Sequence, residues 1–226
     1  FVNGKFRKFI HDAELKWYLW SVIGFTAFIA IVLYYNSSMG VEEAFRKSLF
    51  QVASLHTSTG FATADYMTWP SVLWGTLTVI MIIGACAGST TGGMKCIRLL
   101  ILAKISRNEF KHITHPNAVL PVRVNKQVIS PSIRSTVLAF SFLYAVLIIV
   151  GTLAMMGMGV GLLESLGCTI SSLGNMGPGL GLCGPAYSWN ELPDMGKWLM
   201  SFFMLLGRLE LFTVLLLFSS DFWKKN

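Results

Sequence analysis

Four stretches of the chain are apolar enough, and free enough of charge, to cross a lipid bilayer. Residues 17–35, 70–94 and 135–163 contain no charged side chain, and residues 198–220 contain only Arg208 and Glu210. A helix of about 20 apolar residues spans a hydrocarbon layer of about 30 Å. The pattern therefore predicts an all-α membrane protein with four transmembrane spans.

Between the spans lie two short apolar segments, residues 44–56 and 162–173, each followed by a glycine-containing turn. A helix of about 12 residues is about 18 Å long, so it crosses about half of a bilayer and is expected to be re-entrant. Irregular backbone at membrane depth is stable only where protein or a watery cavity surrounds it, so the turns are predicted to line a solute pathway. They consist of Thr57, Ser58, Thr59 and Gly60, and of Gly174, Asn175, Met176 and Gly177.

The two halves of the chain follow the same order of segments. Shifting the sequence by 117 residues aligns Gly60 with Gly177. We therefore predict two repeats, residues 1–112 with a cytoplasmic N-terminal tail and residues 113–226, each built as transmembrane helix, re-entrant pore helix, filter loop and transmembrane helix. The alternative is a pair of amphipathic helices on the outer surface with ordinary glycine loops. The repetition, and the lack of charge in residues 48–64, count against it.

The turns are suited to bind a dehydrated cation. Such an ion needs several oxygen ligands, which backbone carbonyls supply without fixed charge. An extended turn aims consecutive carbonyls along one line only if some residues adopt dihedral angles open mainly to glycine. The C-terminal ends of the short helices add partial negative charge. Asp65, just after the first turn, is predicted to lie at the outer mouth and to raise the local cation concentration.

The net charge of +7 is arranged by membrane side rather than gathered in one patch. With four spans, 14 of the 18 Lys and Arg residues fall on the same side. The positive-inside rule assigns that side to the cytoplasm, so both termini are predicted inside. The charge thus indicates topology and contact with anionic lipid headgroups, with no nucleic-acid partner. The 14 residues are Lys5, Arg7, Lys8, Lys16, Lys95, Arg98, Lys104, Arg107, Lys111, Arg123, Lys126, Arg134, Lys224 and Lys225.

Residues 84–93 interrupt the second span with four glycines and three hydroxyl side chains. Glycine inside a helix costs about 1 kcal/mol relative to alanine, so the middle of this span is predicted to be unwound. One interpretation is a gate beneath the turns, and the other is a packing face of small residues between helices. The candidate gate residues are Gly88, Ser89, Thr90, Thr91, Gly92 and Gly93.

The remaining reactive residues form no catalytic or metal-binding pattern. Cysteines 86, 96, 168 and 183 have no CxxC spacing and are predicted to be free packing thiols. Residues 88–95 lack the Gly-Lys-Ser/Thr of a phosphate-binding loop. His112 and His115 lack the cysteine or carboxylate neighbours of a metal site. We find no paired nucleophile and base, so the sequence does not favour an enzyme.

Four motifs, in the expected order, resemble the Trk/Ktr/HKT superfamily of potassium transporters, most closely its bacterial TrkH type. Residues 58–65, Ser-Thr-Gly-Phe-Ala-Thr-Ala-Asp, are similar to the filter of the family's third repeat, and residues 175–181, Asn-Met-Gly-Pro-Gly-Leu-Gly, to that of the fourth. Residues 88–95 resemble the intramembrane loop of the third repeat. Residues 207–210, Gly-Arg-Leu-Glu, resemble the start of the lower half of the last helix.

The resemblance implies a potassium-channel-like pore with four repeats, of which this chain carries the third and fourth. Its implied function is K⁺ uptake across the inner (cytoplasmic) membrane of a bacterial cell, with K⁺ at the filter as the only metal, no covalent cofactor, and coupling to Na⁺ or H⁺ left open. Arg208 would form an electrostatic barrier below the filter. The alternative interpretation is that Arg208 is a structural residue, held by neighbouring carbonyls. Implied partners are the N-terminal half of the pore, a second copy in a homodimer, and a cytoplasmic nucleotide-binding regulatory subunit of TrkA/KtrA type.

Two other functions stay open at this point. The first is a Na⁺ or mixed Na⁺/K⁺ pathway, because repeats outside this chain also shape the filter. The second is a non-conducting assembly or regulatory membrane subunit, because two repeats cannot enclose an ion.

Overall fold

The computed structural model describes residues 12–89, 91–118, 120–125, 127–209, 211–217 and 223. Helices dominate this part of the chain, and the strands are two-residue pairs. The helices are α1 Ala13–Asn36, α2 Val41–His56, α3 Ser71–Ile82, α4 Cys96–Thr114, α5 Pro131–Gly157, α6 Leu162–Gly174, α7 Asp194–Arg208 and α8 Leu211–Leu217. The strands are β1 Ile83–Gly84, β2 Met94–Lys95, β3 Arg123–Val124 and β4 Gln127–Val128. Short 3₁₀ helices cover Tyr66–Thr68, Gly181–Cys183 and Trp189–Glu191.

Helices α1 and α5 correspond to the first and third predicted spans. Among the described residues, these two helices are long and apolar enough to cross a membrane. Asp12 caps α1 by accepting the backbone N–H of Glu14 at 2.7 Å, and Ser130 caps α5 in front of Pro131. Their outer faces expose large apolar side chains, such as Tyr35 at 80% and Phe142 at 73%. Lipid tails are the natural neighbours of such a surface.

The second and fourth predicted spans are each divided into two helices. Helix α3 ends at Ile82 and α4 begins at Cys96, so the predicted interruption is present. Helix α4 then continues to Thr114, through residues that we had assigned to the cytoplasmic connection. In the last span, Arg208 ends the upper helix α7, whereas the sequence resemblance had put it at the start of the lower half.

The segment between α4 and α5 carries a β3–β4 hairpin that is tied to the start of α1. The two strands pair antiparallel, with Arg123 opposite Val128. At the hairpin tip, the Asn125 side chain accepts the backbone N–H of Ala13 at 2.8 Å and donates to the Asp12 carboxylate at 3.1 Å. The hairpin therefore moves with the first turn of α1.

Helix α6 joins the two main hydrophobic clusters of the fold. One cluster is formed by α1, α2 and α3, and it also contains Ile170 and Met176. The other is formed largely by α5 and α7, and it contains Cys168 and Leu173. Nine of the 13 residues of α6 are buried. A buried short helix of this kind holds its C-terminal turn in a fixed position relative to both halves of the chain.

Candidate functional site

The two predicted turns leave their helices with the same backbone conformation. Ser58 has φ 52° and Gly60 has φ 79°, while Asn175 has φ 54° and Gly177 has φ 102°. These are left-handed conformations, which favour glycine and are costly for most other residues. Ser58 matches Asn175, and Gly60 matches Gly177, at the 117-residue offset. We call residues 57–60 the first turn and residues 174–177 the second turn.

Matching hydrogen bonds fold each turn back onto its helix. In the first turn, Thr59 N–H donates to Ser54 O at 2.9 Å, and in the second, Met176 N–H donates to Ser171 O at 3.0 Å. The Ser54 hydroxyl also donates to the carbonyl of Phe61 at 2.5 Å, so it braces the chain beyond the first turn. The turns are thus held by their own re-entrant helices.

The first and second turns touch each other. A Cβ atom on Gly60 would lie 2.1 Å from the carbonyl oxygen of Met176 and 3.1 Å from Cδ of Pro178. The same two segments border an open depression of about 380 Å³, whose walls include Thr59 and Gly177. Two elements that are more than one hundred residues apart in sequence therefore form one surface.

In the described part of the chain, the two turns donate backbone hydrogen bonds but accept none. Among the hydrogen bonds of the described residues, none is accepted by a backbone oxygen of residues 57–60 or 174–177. A carbonyl oxygen that accepts no hydrogen bond from the protein still has lone pairs available to water or to a cation.

Asp65, which follows the first turn, caps a short helix and lines a depression. Its carboxylate caps the 3₁₀ helix Tyr66–Thr68 by accepting the backbone N–H of Met67 at 2.9 Å. It also lines a shallow depression with Thr63 and Pro185. The carboxylate therefore supplies negative charge at a surface shared by the segments that follow each turn.

Tyr66, next to Asp65, connects the first half of the chain to the second. Its side chain is fully buried, and its hydroxyl donates to the carbonyl of Gly179 at 2.5 Å. Burial, with a smaller contribution from the Asp65 carboxylate, raises the pKa of Tyr66 above its usual value. The phenol therefore keeps the proton that it donates.

Cys168 and Cys183 form a disulfide, so the prediction of four free thiols was wrong for these two residues. Their Cα atoms lie 6.3 Å apart, a separation that a disulfide spans. The chain reverses direction at the second turn, which brings Cys183 back against the middle of α6. The structure has Cys86 and Cys96 as free thiols.

Residues 85–93 fill the break between α3 and α4, and we keep for them the name predicted from the sequence, the intramembrane loop. Its base is closed by parallel pairing of β1 with β2, in which Ile83 lies opposite Met94. The Glu14 carboxylate accepts the backbone N–H of Ala87 at 2.5 Å, and Lys95 Nζ donates to the carbonyl of Ala87 at 3.2 Å. Protein groups thus satisfy backbone polar atoms that lipid could not satisfy. Thr90 lies outside the described residues.

The intramembrane loop rests directly beneath the second turn. Gly93 N–H donates to the carbonyl of Leu173 at 3.2 Å. A Cβ on Gly92 would lie 2.7 Å from that same oxygen and 2.8 Å from Nδ2 of Asn175. A Cβ on Gly207 would lie 2.2 Å from the Leu173 oxygen. Two glycines therefore let the loop and α7 approach the end of α6 together.

Arg208 faces the same region as the candidate gate. It borders a cavity of about 200 Å³ together with Ser89, Thr91, Gly93 and Arg98. The guanidinium of Arg98 lies 3.8 Å from the centre of the Phe140 ring, a cation–π contact. Glu210 lies outside the described residues. Arg208 and the loop are therefore brought together below the second turn.

Several residues of the site were missed by sequence reasoning. Ser54, Tyr66 and Glu14 each act through a single hydrogen bond to a backbone atom, local for Ser54 and long-range for the other two, which leaves no pattern in the sequence. The disulfide did leave a signal, since Cys168 and Cys183 flank the second turn at equal distances of six residues. A predicted hairpin at that turn brings such positions opposite each other.

Comparison with known proteins assigns the family. The model of the cation transport protein family TrkH matches residues 7–225. The chain belongs to the TrkH family of cation transport proteins. Its fold is accordingly that of an all-α membrane protein, as predicted from the uncharged spans.

Members of the TrkH family are similar to the chain in both sequence and structure. The Trk system potassium uptake protein TrkH of Halomonas elongata is 34% identical over 228 residues, which covers 100% of this chain and 47% of the relative. TrkH of Escherichia coli K12 is 37% identical over 193 residues, covering 85% of this chain and 39% of the relative.

A crystal structure of the potassium transporter TrkH from Vibrio parahaemolyticus superimposes with a TM-score of 0.87 at 33% identity. The superimposed region covers 94% of this chain and 45% of the crystallised chain. The chain thus spans less than half the length of each of these TrkH family members.

Proposed function

We propose that the chain forms half of a potassium uptake pore, in which K⁺ sheds its water and binds the carbonyls of the first and second turns. The observation that carries this proposal is the contact between the two turns, at a place where none of their carbonyls is bonded within the described residues. Carbonyl oxygens replace the hydration shell of a cation without adding fixed charge. The relatives are Trk system potassium uptake proteins, which supports the same ion.

The pore requires a second half, because two turns form only two sides of a cage. We propose that the first and second turns belong to the third and fourth of four repeats, with residues 1–112 and 113–226 as the repeat boundaries. The length of the relatives supports this, since more than half of each is unmatched by this chain. The missing half is the main proposed partner. A second copy of the assembled pore would complete a homodimer.

We further propose that the intramembrane loop acts as the gate and that Arg208 is an electrostatic barrier beside it. Their common cavity, directly beneath the second turn, supports both roles. A cation that leaves the turns toward the cytoplasm would pass this cavity, and a positive side chain there raises the energy of passage. The hydroxyls of Ser89 and Thr91 border the same space.

The proposed location of the protein is the inner membrane, with both termini in the cytoplasm and the turns on the periplasmic side. The disulfide supports this orientation, because disulfides persist in the oxidising periplasm and not in the cytoplasm. This orientation would leave the β3–β4 hairpin and the basic C-terminal part of α4 on the cytoplasmic side. These are the surfaces available to a nucleotide-binding regulatory subunit.

Rubidium uptake by potassium-starved cells tests the proposed function. We expect no uptake from this chain alone, and uptake when it is joined to the part of the Vibrio parahaemolyticus transporter that it does not match. The unmatched part expressed alone is the control. If the joined protein reaches the membrane and carries no rubidium, the proposal is wrong and an assembly role is favoured. If it carries sodium as well as rubidium, a mixed pathway is favoured.

Asp65→Asn is expected to lower rubidium uptake about twofold at low ionic strength, and to have little effect at high salt. A cation about 8 Å from a unit charge in water gains about 0.5 kcal/mol, and salt screens this attraction. Asparagine keeps an oxygen that can accept the Met67 N–H, so the 3₁₀ helix remains capped. The measurement is initial uptake rate against salt concentration. A loss that is equal at all salt concentrations would contradict a charge effect.

A further inference from the structure

The second turn is enclosed in a covalent ring. The Cys168–Cys183 disulfide joins the middle of α6 to the 3₁₀ helix Gly181–Cys183, and closes a loop with a sequence separation of 15 residues. Both cysteines are fully buried, and residues 174–177 lie at the centre of the ring. At the 117-residue offset, the matching positions near the first turn are Gln51 and Tyr66. The covalent ring is therefore particular to the second turn.

The segment after the second turn, residues 178–184, is packed tightly onto α6. We call it the outer loop. A Cβ on Gly167 would lie 2.4 Å from the backbone nitrogen of Leu180. A Cβ on Gly181 would lie 2.5 Å from Oε1 of Glu164. This close approach depends on glycine at both positions, and it leaves the outer loop little room to shift.

Gly179 fixes the outer loop through both of its backbone polar groups. Its N–H donates to the carbonyl of Cys183 at 2.6 Å, and its carbonyl accepts the hydroxyl of Tyr66 at 2.5 Å. The first bond lies inside the disulfide ring. The second comes from the first half of the chain, next to Asp65. The ring is therefore tied across the boundary between the two halves, on the outer side of the turns.

We propose that the Cys168–Cys183 disulfide and the Tyr66–Gly179 hydrogen bond together determine specificity, by holding the carbonyls of the second turn too far apart to close around Na⁺. This inference rests on the proposed function. A cage of carbonyls distinguishes ions by size only if it cannot contract around the smaller one. Binding groups keep such a geometry when surrounding contacts lock them, and here a covalent bond and a buried hydrogen bond supply the lock.

The test compares ion selectivity in variants of the joined protein described above. Tyr66→Phe removes the hydroxyl and keeps the buried ring, and Cys168→Ala/Cys183→Ala opens the covalent ring. We expect Tyr66→Phe to lower the ratio of rubidium to sodium uptake about fivefold, the effect of losing one hydrogen bond, and the double variant to lower it further. Tyr35→Phe is the matched control, because Tyr35 is exposed at the end of α1. Its ratio is expected to be unchanged.

Alkylation of this chain with N-ethylmaleimide in denaturant tests whether the Cys168–Cys183 disulfide forms. Before reduction we expect two added groups, on Cys86 and Cys96, and after reduction four. Four groups without reduction would overturn the inference. An unchanged rubidium-to-sodium uptake ratio in Tyr66→Phe would also overturn the inference. This variant tests the inference even if the cysteine variant fails to reach the membrane. Failure of the unsubstituted joined protein to carry rubidium would instead contradict the proposed function.

Discussion

Replacing Gly60 with alanine is expected to reduce rubidium uptake by the joined protein at least tenfold. The new Cβ would lie 2.1 Å from the carbonyl oxygen of Met176, which is closer than any real contact, so one turn has to move away from the other. The left-handed backbone of Gly60, with φ 79°, adds about 1–2 kcal/mol of strain for an L-residue. A loss of about 1.4 kcal/mol in ion binding is already a factor of ten.

Alanine variants of two further glycines distinguish the steric contact between the turns from backbone strain as the cause of that loss. Gly177→Ala introduces the same kind of backbone strain, since φ is 102°, but its Cβ would meet nothing within 4 Å. Its effect is expected to be smaller than that of Gly60→Ala. Gly24→Ala, in the open helical surface of α1, is the control and is expected to retain uptake within about twofold. Equal uptake by Gly60→Ala and Gly24→Ala would show that contact between the turns does not matter.

Gly207→Ala is expected to have the second largest effect, again a loss of about tenfold or more. Its Cβ would lie 2.2 Å from the carbonyl oxygen of Leu173, which also accepts the N–H of Gly93. Inserting a methyl group into a packed contact costs about 1–3 kcal/mol. Because the neighbour is backbone rather than a flexible side chain, α7 has to separate from the end of α6, and the intramembrane loop loses its support.

Two glycines of the intramembrane loop, Gly92 and Gly88, allow the contact with the Leu173 carbonyl to be tested by comparing their alanine variants. Gly92→Ala would collide with the Leu173 oxygen and the Asn175 amide, whereas a Cβ on Gly88 meets nothing within 4 Å. Uptake is therefore expected to fall more in Gly92→Ala than in Gly88→Ala. Gly157→Ala, at the open end of α5, is the control outside the site. Membrane-inserted protein is quantified for every variant. If Gly88→Ala is the more severe of the two, the loop is not held through Gly92.

Much of this architecture could be predicted because a bilayer imposes strict rules on sequence. Uncharged length identified α1 and α5 as spans, and the two short helices begin and end within a few residues of the predicted positions 44–56 and 162–173. The glycines of residues 84–93 predicted the broken second span, since helices tolerate few of them. In each case the pattern lies within one segment of the sequence, and the free-energy cost of another arrangement of that segment in a bilayer is large.

What could not be predicted depends on how segments distant in sequence meet. The hydrogen bonds from Tyr66 to Gly179 and from Glu14 to Ala87 each join a side chain to a backbone atom, and any residue type can supply such an acceptor or donor. The continuation of α4 through the basic residues after Cys96 was also missed. Charge marked those residues as cytoplasmic, but charge does not stop a helix.

The first turn of α1 carries two connections at once. Asp12 and Ala13 hold the tip of the β3–β4 hairpin through Asn125, and Glu14 holds the intramembrane loop through Ala87. A displacement of the hairpin is therefore expected to shift the Glu14 carboxylate that accepts the N–H of Ala87. If the hairpin faces the cytoplasm, as proposed above, a subunit that docks on it can act on the loop through three consecutive residues.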